Sequence, residues 1–221
     1  MNTLFIRLEG PLQSWGARAH WELRDTALEP TKSGVVGLLA CASGLGRQAD
    51  EEIRQLSQGL RFGVRVDRPG EILEDYQTVV GGAMSAEGRV KRNAASGDPE
   101  TVVSHRFYLA DASFLAAVIG SDDLIERLAT ALQAPVWPIY LGRKSCPCAV
   151  PPFAGTGQFA SLVDALSDHP RSKRATRHPE RLRAVVEVPA GSGNPRREEI
   201  DSLSRRTYLP RYATEEFVCP P

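Results

Sequence analysis

The strongest constraint on this chain is the order in which two hydrophobic periods follow each other. Residues 3–9, TLFIRLE, set Leu4, Ile6 and Leu8 against polar neighbours, the two-residue period of a half-buried strand. The run stops at Gly10-Pro11, and an irregular stretch leads to Pro30. Ser33 then suits an N-cap, and Val35, Val36, Leu38, Leu39 and Ala42 recur at helical spacing. Gly34 and Gly37 each cost about 1 kcal/mol against Ala inside so short a helix, which points to close packing or close approach at its start. Residues 50–58 read as a second helix, acidic at the end its dipole prefers. Residues 60–67, LRFGVRVD, alternate Phe62, Val64 and Val66 with Arg61, Gly63 and Arg65 and predict a strand; residues 72–78 predict another.

Residues 81–101 are small, polar and charged, with a cluster at Arg89, Lys91 and Arg92. They hold almost no core-forming side chain and are too long for a simple connection, so a functional excursion is expected there. Strand character returns at 102–110 and 113–119. A helix from 121 to 133 places Leu124, Ile125, Leu128, Ala129 and Leu132 on one face, and 136–141 reads as a last strand. The order is the split βαββαβ pattern of ferredoxin-like and RNA-recognition domains, an α+β class. After Pro151-Pro152 the chain becomes Arg-rich and Pro-punctuated, with one clear strand at 182–188. The expected organisation is a ferredoxin-like domain over 1–150, its excursion at about 79–103, and a small β-rich C-terminal subdomain over 151–221.

Charge narrows the partners. Lys plus Arg and Asp plus Glu both number 27, so a nucleic-acid partner has to be met by local patches rather than a global field. No apolar run reaches the roughly 18–20 residues that span a bilayer. The start carries a charge inside its short apolar run and has no small-residue cleavage site, which is unlike a signal peptide. Four cysteines without framework spacing suit a reducing cytoplasm.

Candidate chemistry sits in a few places. Cys146-x-Cys148 offers two zinc ligands, but Cys41 and Cys219 stand alone and His169 and His178 are too far apart to complete a set. Packing beside a turn is the expectation for these thiols, and neither metal nor cofactor is expected. None of His20, His105, His169 and His178 lies in a nucleophile or zinc-protease motif. His105 lies near Lys91 and Tyr108; such groups can assemble a metal-free ribonuclease, with a base for the 2′-hydroxyl proton and a cation for the phosphorane. PTKSGVVG puts Lys32, Ser33 and Gly34 at a helix start, which suits an anion and equally suits capping by Ser33. YLGRKS places Arg143, Lys144 and Ser145 after a glycine turn, a fit for a phosphate or for plain solvation. The run Arg171, Lys173, Arg174, Arg177, Arg181, Arg183 is basic, yet such runs are commonly solvated loops. Trp15, Trp21, Tyr76, Phe107 and Tyr108 flank polar or basic stretches, where bases could stack.

LEGPLQSWG (8–16), PTKSGVVGLLA (30–40), DYQTVVGG (75–82), YLADASF (108–114) and YLGRKSCP (140–147) together resemble the fifth CRISPR-associated protein family in its type I-E form, the CasD-type subunits of Cascade. The motifs stand in the family's order and cover about residues 3–157. The resemblance implies a ferredoxin-like domain with a protruding β-hairpin thumb. It also implies a non-catalytic subunit that caps the 5′ repeat-derived handle of the CRISPR RNA, contacts the backbone subunit and helps seat the large subunit, near the PAM-proximal end of target DNA. A type I-C relative cuts the repeat itself, which keeps His105, Lys91 and Tyr108 as an alternative catalytic set. RNA contact carries over to Gln13, Ser14, Trp15, Lys32, Ser33, Gly34, Tyr76, Thr78, Arg143, Lys144 and Ser145. Arg89, Lys91 and Arg92 are assigned to the thumb on charge alone.

Overall fold

A computed structural model describes residues 2–16, 22–82, 84–85, 88–174 and 179–221. In chain order the elements are β1 (Thr3–Glu9), β2 (Leu12–Gln13), β3 (Leu23–Arg24), α1 (Lys32–Ala42), α2 (Asp50–Gln58), β4 (Arg61–Arg68), β5 (Glu71–Val79) and β6 (Val102–Ala110). They continue with β7 (Ser113–Ile119), α3 (Asp122–Gln133), β8 (Phe153–Gly157), α4 (Leu162–Asp168), β9 (Leu182–Val188), β10 (Asn194–Ser202) and β11 (Thr207–Val218).

The main sheet is antiparallel and runs β10-β11-β9-β4-β7-β1-β8. Its segment β4-β7-β1-β8 is the split βαββαβ core. Period-two side chains of β1, β4 and β7, among them Leu4, Ile6, Phe62, Val64, Phe114 and Val118, face α1, α2 and α3. There they meet Val36, Leu39, Ile53, Ile125, Leu128 and Leu132. The opposite positions Phe5, Leu115 and Ala117 are buried under Leu162, Ala165 and Leu166 of α4. Both faces of the sheet are therefore dry, which explains why β7, SFLAAVI, is apolar almost throughout. Arg65 lies on the α4 side with no exposure; it pairs with Asp67 at 2.6 Å and donates to the carbonyls of His169 and Pro170 at 2.6 and 3.0 Å. The sheet face on which RNA-recognition domains stack bases is closed here.

A second sheet carries the thumb. β5 and β6 pair from Glu71↔Ala110 to Val79↔Val102; beyond them the bridges Met84↔Val90 and Arg92↔Pro99 each close a local turn of their own. The excursion expected at 79–103 thus caps the outer end of the β5–β6 hairpin with two short turns. Its small polar composition suits an arm with solvent on both faces. β2 pairs antiparallel with the base of β6, and β3 lies parallel to it, Leu23 beside His105 and Arg24 beside Arg106.

Three expectations are corrected. Residues 136–141 are not a strand: Pro138 lacks the N–H a ladder needs, and only the bridge Tyr140↔Pro147 forms. The sheet position beside β1 belongs to β8. The composition shift near residue 150 is not a break in the sheet, since β8 and β9 pair directly with β1 and β4. The cap of α1 is Thr31, not Ser33; Thr31 Oγ1 accepts the Gly34 N–H at 3.1 Å.

Candidate nucleic-acid interface

The turn at 141–146 is built by Gly142. It sits at φ +92, and a Cβ there would stand 1.8 Å from the carbonyl oxygen of Ser14. Only glycine fits. Ser14 N–H in turn donates to Leu141 O at 3.0 Å, so this turn and the segment after β2 lie backbone against backbone. Arg143 clamps the assembly. Its guanidinium donates to the carbonyls of Phe107 (3.2 Å), Arg24 (2.7 Å) and Asp25 (3.3 Å), and it lies 4.8 Å from the centre of the Tyr108 ring. Arg143 thus joins β3, the thumb base and the turn before it can address any ligand. Lys144 is exposed and forms no ion pair among the described residues; Ser145 Oγ lies 3.4 Å from Tyr108 Oη.

The start of α1 faces this turn. Gly34 has no room for a side chain, because a Cβ would meet Trp15 Cε3 at 2.8 Å. Lys32 is 2% exposed, and its ammonium pairs with Glu187 at 3.1 Å and Glu199 at 2.5 Å. Its backbone N–H donates to Glu198 Oε2 at 3.2 Å. The helix start therefore already holds one internal carboxylate, and Lys32 is withdrawn as a phosphate ligand. Glu198 is held in turn by Arg211 at 2.7 Å.

Between these parts lies a cleft of about 630 Å³. The segment 14–16, the helix start at Thr31, Ser33 and Gly34, and the turn residues Gly142 and Arg143 all line it. Arg24 lines it from β3, and Arg206 and Tyr208 from the β10–β11 hairpin. Arg24 and Arg206 carry no ion pair among the described residues. Three guanidiniums, a hydroxyl at a helix start and an aromatic ring around an open cleft suit a phosphate–base–phosphate segment. Arg24, Arg206 and Tyr208 were not singled out from the sequence; the signal was there in SRRTY, two cations ahead of a ring.

Other candidates lie elsewhere. Gln13 is fully buried, donating to Leu8 O and Ala112 O at 3.0 and 2.9 Å and accepting from Trp15 Nε1 at 3.0 Å. Trp15 is 1% exposed, so its ring is core and has no face to offer a base. Both are corrected from RNA ligands to supports of the cleft wall. Tyr76 and Thr78 lie exposed on β5, and Arg89, Lys91 and Arg92 lie exposed on the outer thumb. His105 packs edge-on to Tyr76 and bonds Glu74 at 2.6 Å. Tyr108, three residues on, points to the opposite face and is buried. Lys91 pairs beside Glu100, five residues from His105, or about 16 Å of extended strand. The three do not converge, so the alternative catalytic set is corrected. Cys146 is buried, and burial pushes the Cys148 thiol up to about 11, so neither is a thiolate at neutral pH. Most of the Arg run is engaged internally: Arg171 with the carbonyls of Pro179, Glu180 and Pro220, Arg174 with Asp111, Arg183 with Glu29 and Glu215. His20, Trp21, Arg177 and His178 lie outside the described residues.

The family described as CRISPR-associated protein (Cas_Cas5) matches residues 3–216 of this sequence. The chain belongs to that family. It is 34% identical over 177 residues to the CRISPR system Cascade subunit CasD of Escherichia coli (strain K12), covering 75% of this chain and 76% of that relative. A structure described as the crystal structure of a Cas protein matches with a TM-score of 0.73 at 36% identity, over 98% of this chain and 95% of that one. A chain of a CRISPR RNA-guided surveillance complex matches with a TM-score of 0.75 at 30% identity, over 99% and 91%.

Proposed function

We propose that this chain is a non-catalytic subunit of a CRISPR RNA-guided antiviral surveillance complex, and that it binds and caps the 5′ repeat-derived handle of the CRISPR RNA. The observation that carries the reading is convergence. Three segments far apart in sequence, 14–16, 31–34 and 142–143, meet at one cleft, and the guanidiniums of Arg24 and Arg206, which carry no ion pair among the described residues, stand beside them. Those segments are the ones that resemble the family. Handle contacts fall to Ser33, Gly34 and Arg143 in the cleft, with Lys144 and Ser145 at its rim, while Ser14, 3% exposed and donating its hydroxyl to Phe107 O at 3.4 Å, supports the cleft wall beside Gln13 and Trp15. Tyr76, Thr78, Arg89, Lys91 and Arg92 follow the RNA along the thumb.

The backbone and large subunits of Cascade are the expected protein neighbours, and target DNA is met only indirectly at its PAM-proximal end. A chain of zero formal charge fits such a place, because its other surfaces must meet protein. No helix of the described residues is long and apolar enough to cross a membrane, and a cytoplasmic ribonucleoprotein is the setting this reading requires.

The test is assembly. The purified chain and its partner subunits, mixed with repeat-derived RNA, form a complex that depends on the handle. Equal assembly on RNA with a scrambled handle overturns the reading.

A further inference from the structure

Residues 202–208, at the tip of the β10–β11 hairpin, lie far along the chain from every motif named above. Yet two of their side chains, Arg206 and Tyr208, line the same cleft as Ser33 and Arg143. We propose that this tip is the second jaw of the cleft: Arg206 holds a backbone phosphate of single-stranded RNA, Tyr208 stacks on the adjoining base, and Asp50 is the positioning residue that holds the jaw in place. The proposal rests on the RNA-handle reading above and extends it to residues that the family motifs do not reach.

Three observations carry it. First, both side chains are available. Arg206 is exposed and unpaired among the described residues, and Tyr208 keeps over a third of its surface open. Second, the tip is held in an unusual backbone state. Arg206 sits at φ +56, one of two non-glycine residues with positive φ among the described residues, a conformation that persists only where the surroundings impose it.

Third, the source of that imposition is identifiable. A single carboxylate, Asp50 at the start of α2, accepts from the N–H groups of Leu203 (2.9 Å) and Ser204 (3.0 Å) and from the hydroxyl of Ser202 (2.7 Å). It also accepts from the hydroxyl of Ser204. These bonds lower the Asp50 carboxyl to about 2, the hydroxyls of Ser204 and Ser202 contributing most. Leu203 O then accepts the Arg206 N–H at 3.3 Å, which closes the turn. Further down the strand, Ser57 accepts the Ile200 N–H at 3.2 Å, and Ile200 is the register partner of Tyr208. Asp50 at the start of α2 and Ser57 near its end thus hold the backbone that carries both jaw residues, without lining the cleft. A guanidinium fixed beside a stacking ring is a preorganised nucleotide site, and its chemistry is that of single-strand RNA binding.

The experiment measures binding of the complex to 3′-labelled single-stranded RNA carrying the host's CRISPR repeat segment, at several salt concentrations. Arg206→Ala is expected to weaken binding and to make the slope of log affinity against log salt shallower by about 0.7, one phosphate contact on a single strand. Tyr208→Ala is expected to weaken binding by about 5- to 150-fold with the slope kept, and Tyr208→Phe to restore it, since stacking needs only the ring face. Asp50→Asn is expected to weaken binding in the parent but to add nothing in the Arg206→Ala, Tyr208→Ala background. A purely structural role would add equally in both. Should the parent fail to prefer the repeat RNA over a scrambled control, the RNA-handle reading itself falls. Should the parent prefer it while Arg206→Ala and Tyr208→Ala bind as well as the parent with its salt slope, the jaw is overturned and the handle reading stands.

Discussion

The carbonyl oxygen of Ser14 occupies the space where any side chain on Gly142 would begin. A Cβ built on Gly142 falls 1.8 Å from that oxygen, at a φ of +92. The two residues are 128 apart in sequence, and their contact brings the turn at 141–146 against the cleft wall. Gly142→Ala combines a backbone clash with a left-handed strain and is expected to cost on the order of 2–4 kcal/mol of folding stability. Chemical denaturation measures this, and RNA retention should fall with it because Arg143 is displaced.

Lys32 is predicted to matter for folding rather than for RNA. Its ammonium is enclosed by Glu187 and Glu199 with 2% exposure. Lys32→Met leaves two carboxylates without their cation, and breaking a buried pair from one side costs about 3–5 kcal/mol. The melting temperature should drop sharply, and Glu199→Gln in the same chain should recover part of the loss. RNA affinity of the folded protein should stay unchanged. A selective loss of affinity at unchanged stability would return Lys32 to the binding surface.

Acid should unfold the protein through two aspartates. Burial alone would raise the Asp67 carboxyl, but the hydrogen bonds and charges of Arg65 and Arg7 outweigh it and leave it below the ordinary 3.8. Asp50 is lowered to about 2. In both cases folding favours the charged form. Their stabilisation is complete above the unfolded pKa and drains away as pH falls through the folded one. Urea midpoints should be level from neutral pH down to about 5, then fall between about pH 4 and pH 2. Asp67→Asn should be less stable at neutral pH and show a shallower acid limb.

His105 is predicted to be dispensable for RNA integrity. It bonds Glu74, while Tyr108 faces the other side of the strand. Repeat RNA incubated with the chain and a chelator should remain uncut, for parent and His105→Ala alike. Discrete products that vanish in His105→Ala would re-establish a nuclease.

The core of the fold was legible because periods two and 3.6 are set by burial: β1, α2, α3 and β9 lie where their apolar residues recur. β10 was not, because an inward position there is Glu198, neutralised by Arg211 from β11, and charge facing the core imitates a loop. The strand expected at 136–141 failed on Pro138. Within the site, residue types were readable but their directions were not. Gln13, Trp15 and Lys32 look like RNA ligands in one dimension and turn inward in three. Arg206 and Tyr208 reach the cleft only because Asp50 ties a remote hairpin to α2.

The RNA that accompanies the chain from its own cells decides whether it caps the 5′ end of a CRISPR RNA. After affinity purification and sequencing of 5′ ends, small RNAs that share one 5′ sequence derived from the CRISPR repeat are expected, and they are lost when Arg24 and Arg206 are both reversed to Glu. Purification with no RNA, or with RNAs of unrelated 5′ ends, would contradict that role.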